Sequence, residues 1–198
     1  MSLRTSEPRI RHLIDAVAYA YRLPSLTYKA HTYSPGELLE GMVITESSGN
    51  PLARRYEPHL DKSGRTDSPT DGDRPNVDDG ATEDDASWGV LQVLGANWRH
   101  RVGAPPKTPL RFEALFDWGL GLLAGVLHFR DELIRLERAG VEGDERVVRA
   151  LAKYNGGTTG DAIVGGDIRR RVYVDKVAQN AGLAQYDRRT KAWKEMPA

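Results

Sequence analysis

Glu46 is the residue of this sequence best placed to move a proton. It closes the apolar run Met42-Val43-Ile44 and is followed at once by Ser47, Ser48, Gly49, Asn50 and Pro51, a cluster that stops a helix. Two influences then act on its proton in the same direction. Unpaired carbonyls at a helix C-terminus disfavour a second negative charge, and apolar neighbours withhold the water that would stabilise a carboxylate. A carboxyl kept protonated near neutral pH is what general acid catalysis requires. Taken alone, the stretch from Ile44 to Pro51 fits a solvated helix end better, so other segments must decide.

Two of them carry polar groups suited to a cleft. In Ser87-Trp88-Gly89-Val90-Leu91-Gln92-Val93, Gln92 is either an exposed residue on a strand or short helix, or part of a cleft wall. In the second case Gly89 lets a ligand approach the backbone and Gln92 hydrogen-bonds it. In Lys153-Tyr154-Asn155-Gly156-Gly157, the Tyr-Asn pair either packs in the core or orients a carboxyl or a sugar amide.

The elements that must position these groups are mainly helical. Ile10, Leu13, Ile14, Val17 and Tyr21 recur at helical spacing and predict a helix over about residues 8–22. Ser34-Pro35-Gly36-Glu37 is a helix start, with Ser34 as cap, Pro35 at the first turn and Glu37 closing a capping box; the helix it opens runs into Glu46. Asp117 caps a long helix that stops at Gly140. Asp144 is placed to cap another, ending at Gly156-Gly157, and a last helix is predicted over 166–181. Residues 57–86, rich in Asp, Gly, Pro, Ser and Thr, read as a long irregular or small β insert. Its residues Asp67, Asp71, Gly72 and Asp78 fall on calcium-loop positions, but Pro69 occupies the third place and no glutamate stands at the twelfth, so a solvated acidic loop fits better. A polar tail covers about 183–198.

Composition removes several function classes. The 28 basic and 28 acidic residues cancel, so no overall field draws in nucleic acid or an anionic membrane. No cysteine is present, and five scattered histidines lack ligand spacing, so no metal site is expected. The N-terminal segment is charged at Arg4, Glu7, Arg9, Arg11 and Asp15, unlike a secretory signal. Trp118–Phe129, the longest uncharged apolar stretch, is too short to span a bilayer. The expectation is one domain of 198 residues, synthesised in the cytoplasm and without stable membrane association.

In order along the chain, these segments resemble the soluble lytic transglycosylase family, whose fold is that of goose-type lysozyme. Glu46-Ser47-Ser48-Gly49-Asn50-Pro51 is similar to its catalytic Glu-Ser block, and residues 53–58, ARRYEP, to an extension of phage-type members. Residues 87–93 resemble its S-x-G-L-x-Q element, with Val90 where leucine is usual and Leu91 where methionine is usual. Residues 152–157 resemble its A-Y-N-x-G element, with Lys153 where alanine normally stands, and residues 169–177 resemble its closing block. The likeness covers about residues 8–180; the acidic segment at 59–86 and the missing signal depart from it.

The resemblance implies a mainly α, lysozyme-like domain that acts on the glycan strands of peptidoglycan in the cell wall, without cofactor. It implies cleavage between N-acetylmuramic acid and N-acetylglucosamine. Glu46 would act first as general acid. It would then act as base toward the sugar's own 6-hydroxyl, which closes a 1,6-anhydro ring. Ser47, Gln92 and Asn155 would bind substrate, and Tyr154 and Tyr173 would position the acid and line the cleft. A monomer is expected, delivered as a phage lysin, on a virion or with a secretion system. Two alternatives stay open. One is a hydrolytic lysozyme with a second carboxylate from Asp67, Asp71, Asp73, Asp78, Asp79, Asp84 or Asp85. The other is a non-catalytic glycan-binding virion protein.

Overall fold

The helix that ends near Glu46 lies in the middle of the molecule. A computed structural model describes residues 8–56, 86–105, 110–162, 168–181, 186–187 and 192–193. The first helix, α1, spans Pro8–Ala20. It is shorter than the predicted 8–22 because Arg22 turns left-handed, at φ 50°, and the chain leaves the helix there. A hairpin that the sequence reading did not anticipate follows. Strand β1 (Leu26–Tyr28) pairs antiparallel with β2 (His31–Tyr33) through a two-residue turn in which Lys29 and Ala30 are both left-handed. Such turns normally announce themselves by Asn or Gly, and Lys-Ala gives no such signal.

Helix α2, Pro35–Ser47, begins as the sequence predicts. Glu37 N–H donates to Ser34 Oγ at 3.3 Å, and Ser34 N–H donates to Glu37 Oε2 at 2.8 Å. Its middle is buried on every side. Leu38, Leu39, Met42 and Val43 have no exposed surface, and even Glu40 is only 8% exposed, with Arg11 Nη2 at 3.9 Å from its Oε2. A helix buried around its whole circumference belongs inside a helical shell. Burial of each of those four side chains contributes about 1.5–3 kcal/mol.

Beyond α2 the chain forms a small antiparallel sheet in the order β3 (Arg54–Tyr56), β4 (Ala86–Trp88), β5 (Val93–Leu94). The acidic segment 57–85 connects β3 to β4 and lies outside the described residues, and with it the calcium-loop positions and every candidate second carboxylate named above. The short helix α3 (Gly95–Arg101) and a 3₁₀ turn (Phe112–Phe116) follow. Trp88 anchors this lobe: its ring stacks on Phe112 and lies 5.6 Å from Phe116, and the Arg54 guanidinium sits 4.6 Å above it.

Helix α4 (Trp118–Arg138) starts on Asp117, whose Oδ1 accepts from Leu120 N–H at 2.8 Å. It ends as the sequence predicts at Gly140, with Val141 N–H donating to Leu136 O and Gly140 N–H to Glu137 O. Helix α5 (Gly143–Ala162) departs from expectation at both ends. Asp144 stands within its first turn, and its Oδ1 accepts from Thr27 N–H of the hairpin at 2.8 Å, so it joins two elements. Gly156 and Gly157 do not end the helix; it continues for another turn, because glycine weakens a helix without forbidding it.

Helix α6 (Ile168–Ala181) crosses α2 at Gly41. A Cβ at Gly41 would collide with Val177 O and come within 2.8 Å of Ala181 N, so only glycine allows this approach. In the tail, Tyr186–Asp187 (β6) pairs with Ala192–Trp193 (β7), a short hairpin where the sequence reads only as polar. Among the described residues no helix is long and apolar enough to cross a membrane.

Candidate functional site

The site grows from the C-terminal end of α2, where the chain makes two left-handed residues in succession. Ser48 caps the helix at φ 55° with its N–H on Ile44 O, and Gly49 follows at φ 74°. Asn50 Oδ1 then accepts from Leu52 N–H at 3.0 Å, and the chain turns into β3. Glu46 is left half-buried on the last turn, above fully buried Met42 and Val43.

Its direct partner comes from the far end of the sequence. The Tyr173 hydroxyl donates to Glu46 Oε1 at 2.5 Å. Tyr173 is 5% exposed, and burial pushes its phenol well above the ordinary tyrosine value of 10. The charge of Glu46 and the bond to it act in the same direction, with a smaller contribution from Tyr154, and the Arg55 guanidinium opposes them. Tyr173 is therefore a proton-bearing donor at any neutral pH. The two helices are locked beside this bond by Asn180 Nδ2, which donates to Thr45 Oγ1 at 2.9 Å, while Thr45 Oγ1 donates to Gly41 O at 2.7 Å.

Three of the other sequence-predicted residues converge on one turn, Gly89–Gln92, between β4 and β5. Ser47 Oγ lies 2.8 Å from Val90 O and 3.1 Å from Val43 O, one proton serving two carbonyls. The Tyr154 hydroxyl donates to Leu91 O at 2.6 Å. Gln92 Nε2 donates to Gly89 O at 2.9 Å and to Ala53 O at 3.1 Å. Gln92 is 8% exposed, which excludes the exposed alternative. Three consecutive carbonyls are thus held by three side chains, one from α2, one from α5 and one from the turn itself, and the turn is fixed against both helices. Backbone geometry demands this support: Gly89 and Gln92 sit at φ 74° and 47°, and a Cβ at Gly89 would overlap Leu115 O. Tyr154 is also seated by rings, with His128 at 5.4 Å and Phe129 edge-on at 6.3 Å. Gly125 gives its hydroxyl room, since a Cβ there would stand 2.9 Å from it.

No protein-family model, no curated protein and no solved structure matches this chain.

The geometry therefore carries the functional reading. Glu46 and Tyr173 touch; Ser47, Gln92 and Tyr154 surround them by holding the neighbouring turn; Asn155, next along α5, is exposed. Tyr154 is close enough to feel Glu46 electrostatically: burial first, and then the Glu46 charge, push its phenol well above 10. Sequence reasoning does not separate the two tyrosines, since a Tyr at either position satisfies the same description. It also misses Arg55, which lies on exposed β3 and acts on the Tyr173 phenol. The signal for it is its place in residues 53–58, ARRYEP, which the resemblance picks out without giving Arg55 a role. Among the described residues no group of three or more His, Asp or Glu side chains is placed to hold a metal ion.

Proposed function

We propose that this chain is a peptidoglycan lytic transglycosylase with a lysozyme-like fold. The reading rests on one observation above the rest: a half-buried glutamate at the end of a buried helix, with a tyrosine hydroxyl donating to one of its oxygens at 2.5 Å. Tyr173 holds Glu46 by Oε1 while Glu46 gives its proton to the glycosidic oxygen. Protonation of the leaving oxygen turns Glu46 into a carboxylate. The Tyr173 bond, strongest when its acceptor is charged, then holds that carboxylate in place for its second role. It removes the proton from the muramic acid 6-hydroxyl as that oxygen attacks the anomeric carbon. The C–O bond to N-acetylglucosamine breaks, an intramolecular C–O bond forms, and Glu46 regains its proton.

One carboxylate used twice suits a helix end that presents a single acid, whereas hydrolytic glycosidases work with two carboxyl groups about 5–10 Å apart. Ser47, Gln92 and Tyr154 contribute by fixing the turn that faces Glu46, and exposed Asn155 is the sugar-amide contact. Mass spectrometry of digested peptidoglycan tests the reading. Fragments ending in 1,6-anhydromuramic acid are expected; reducing ends carrying added water would assign the hydrolytic reaction instead, and no fragments would remove the enzymatic reading.

A further inference from the structure

A cavity on the far side of α6 from Glu46 is not used by the proposed reaction. Asp175, in its wall, lies two residues from Tyr173 on α6, so the two side chains leave the helix on roughly opposite sides. The β1–β2 hairpin and α6 enclose a space of about 600 Å³, lined by Tyr28, Lys29, His31, Tyr33, Asp175 and Gln179. This lies within the range of ~300–1,000 Å³ usual for small-ligand sites.

Strand alternation explains the composition of its walls. Tyr28 and His31 are cross-strand partners, and Tyr33 is two residues along from His31, so all three rings stand on one face of the hairpin. The intervening Thr27 and Thr32 stand on the other face, their hydroxyls 3.2 Å apart. His31 and Tyr33 meet edge-on at 4.5 Å. The opposite wall is helical, Asp175 and Gln179 lying one turn apart on α6. Asp175 Oδ1 accepts from the Tyr28 hydroxyl at 2.9 Å and pairs with Lys29 Nζ at 2.6 Å.

These features select for a ligand class. The ammonium and the carboxylate compensate each other, so the cavity offers no net charge to an anion or a cation. It offers instead the half-buried rings of Tyr28 and His31 beside a rim of amide, phenol, carboxylate and ammonium groups. A pyranose has that complementary form, with C–H faces that lie against rings and hydroxyls that exchange hydrogen bonds at the edge. The turn that carries exposed Lys29 at the cavity rim is held in a strained form, with two non-glycine residues left-handed at φ 51° and 64°. We infer that the cavity between the β1–β2 hairpin and α6 is a binding site for a neutral saccharide, separate from Glu46.

The test is an NMR titration of the full chain carrying Glu46→Gln, so that the probe is not consumed, with the tetramer of N-acetylglucosamine. Amide resonances of residues 27–32 and 175–179 should shift and saturate. Lys29→Gly and Gln179→Ala should each weaken that binding about tenfold without altering shifts around Glu46. Glycine accepts the left-handed conformation at position 29, so loss of binding in Lys29→Gly will not reflect a broken hairpin. Absence of hairpin shifts with probe on the order of 10 mM, or unchanged affinity in both variants, overturns the inference. Shifts confined to the hairpin and α6 would uphold this site while counting against the glycan-cutting reading. Shifts confined to the surroundings of Glu46 would do the reverse.

Discussion

The two ends of α2 each carry a glutamate, and the two are put to different use. At the N-terminal end, Glu37 reaches back three residues and closes a reciprocal pair with Ser34, so every partner is local. At the C-terminal end, Glu46 accepts from Tyr173, which arrives from 127 residues away. Between them Glu40 is buried against Arg11 of α1. One residue type on one helix thus serves as a cap, as a buried charge and as a candidate acid. The difference lies in what surrounds each carboxylate, and it teaches that an acid's chemistry is set by the reach of its contacts. A local contact stabilises the helix; a distant one can hold a reactive group in a fixed orientation.

Substitutions at the two ends should therefore separate activity from stability. The largest effect is expected from Glu46→Gln, which should lower wall lysis by about 10²–10⁴-fold, or to background, in a turbidity assay. Its thermal midpoint should stay close to that of the parent, and full activity would break the comparison at its centre. Next, Gly41→Ala should cost about 1–3 kcal/mol in denaturant unfolding, because the added methyl meets the backbone of α6. Activity should fall with it, since the same crossing brings Tyr173 to Glu46. Tyr173→Phe should reduce lysis by roughly tenfold, about 1.4 kcal/mol, while changing stability little. Ser34→Ala should do the opposite, costing about 1 kcal/mol of stability with unchanged activity per folded molecule. If Tyr173→Phe altered only stability, the contrast between the two ends would disappear.

The smallest effect concerns pH. Burial holds the His128 imidazole below its ordinary value of 6.5; Glu132 and Asp131 act against this, and Arg101 and Lys153 reinforce it. The unfolded chain then binds a proton at pH values where the native one does not. The contribution of His128 is complete above pH 6.5 and declines as the pH falls through and below it. Unfolding free energies measured from pH 7.5 to pH 5 should show this decline, and His128→Asn should flatten it. Asn97 Nδ2 lies 3.5 Å from His128 Nε2, so protonation would also remove an acceptor that faces an amide.

How far the sequence reading reached follows from the range of each interaction. The start of α2, the cap at Asp117 and the stop at Gly140 were legible, because each is decided within a few residues and by side chains with one dominant local use. The β1–β2 hairpin was not, because Lys-Ala gives no turn signal and only packing against α6 justifies its two left-handed residues. The length of α5 is not legible for the converse reason. Two glycines looked like a stop, and the helix runs through them. At the site, Glu46 stood out by its position between an apolar run and a chain break, whereas Ser47, Gln92 and Tyr154 were noticed as polar groups without their acceptors. Those acceptors are the backbone carbonyls of Gly89, Val90 and Leu91, which any residue type supplies.

By itself the sequence determined a mainly helical chain, the helix that delivers Glu46, and the sharp turn after it. These follow from periodicity, caps and left-handed glycine, all short-range. Only the tertiary structure decided which of two tyrosines touches the acid, that a three-stranded sheet stands beside it, and that a cavity opens between the β1–β2 hairpin and α6. Each of these depends on the crossing of α2 and α6 at Gly41 or on the pairing of strands around a long insertion. Such contacts are fixed by the packing of distant segments against one another, and no local pattern of residues encodes them.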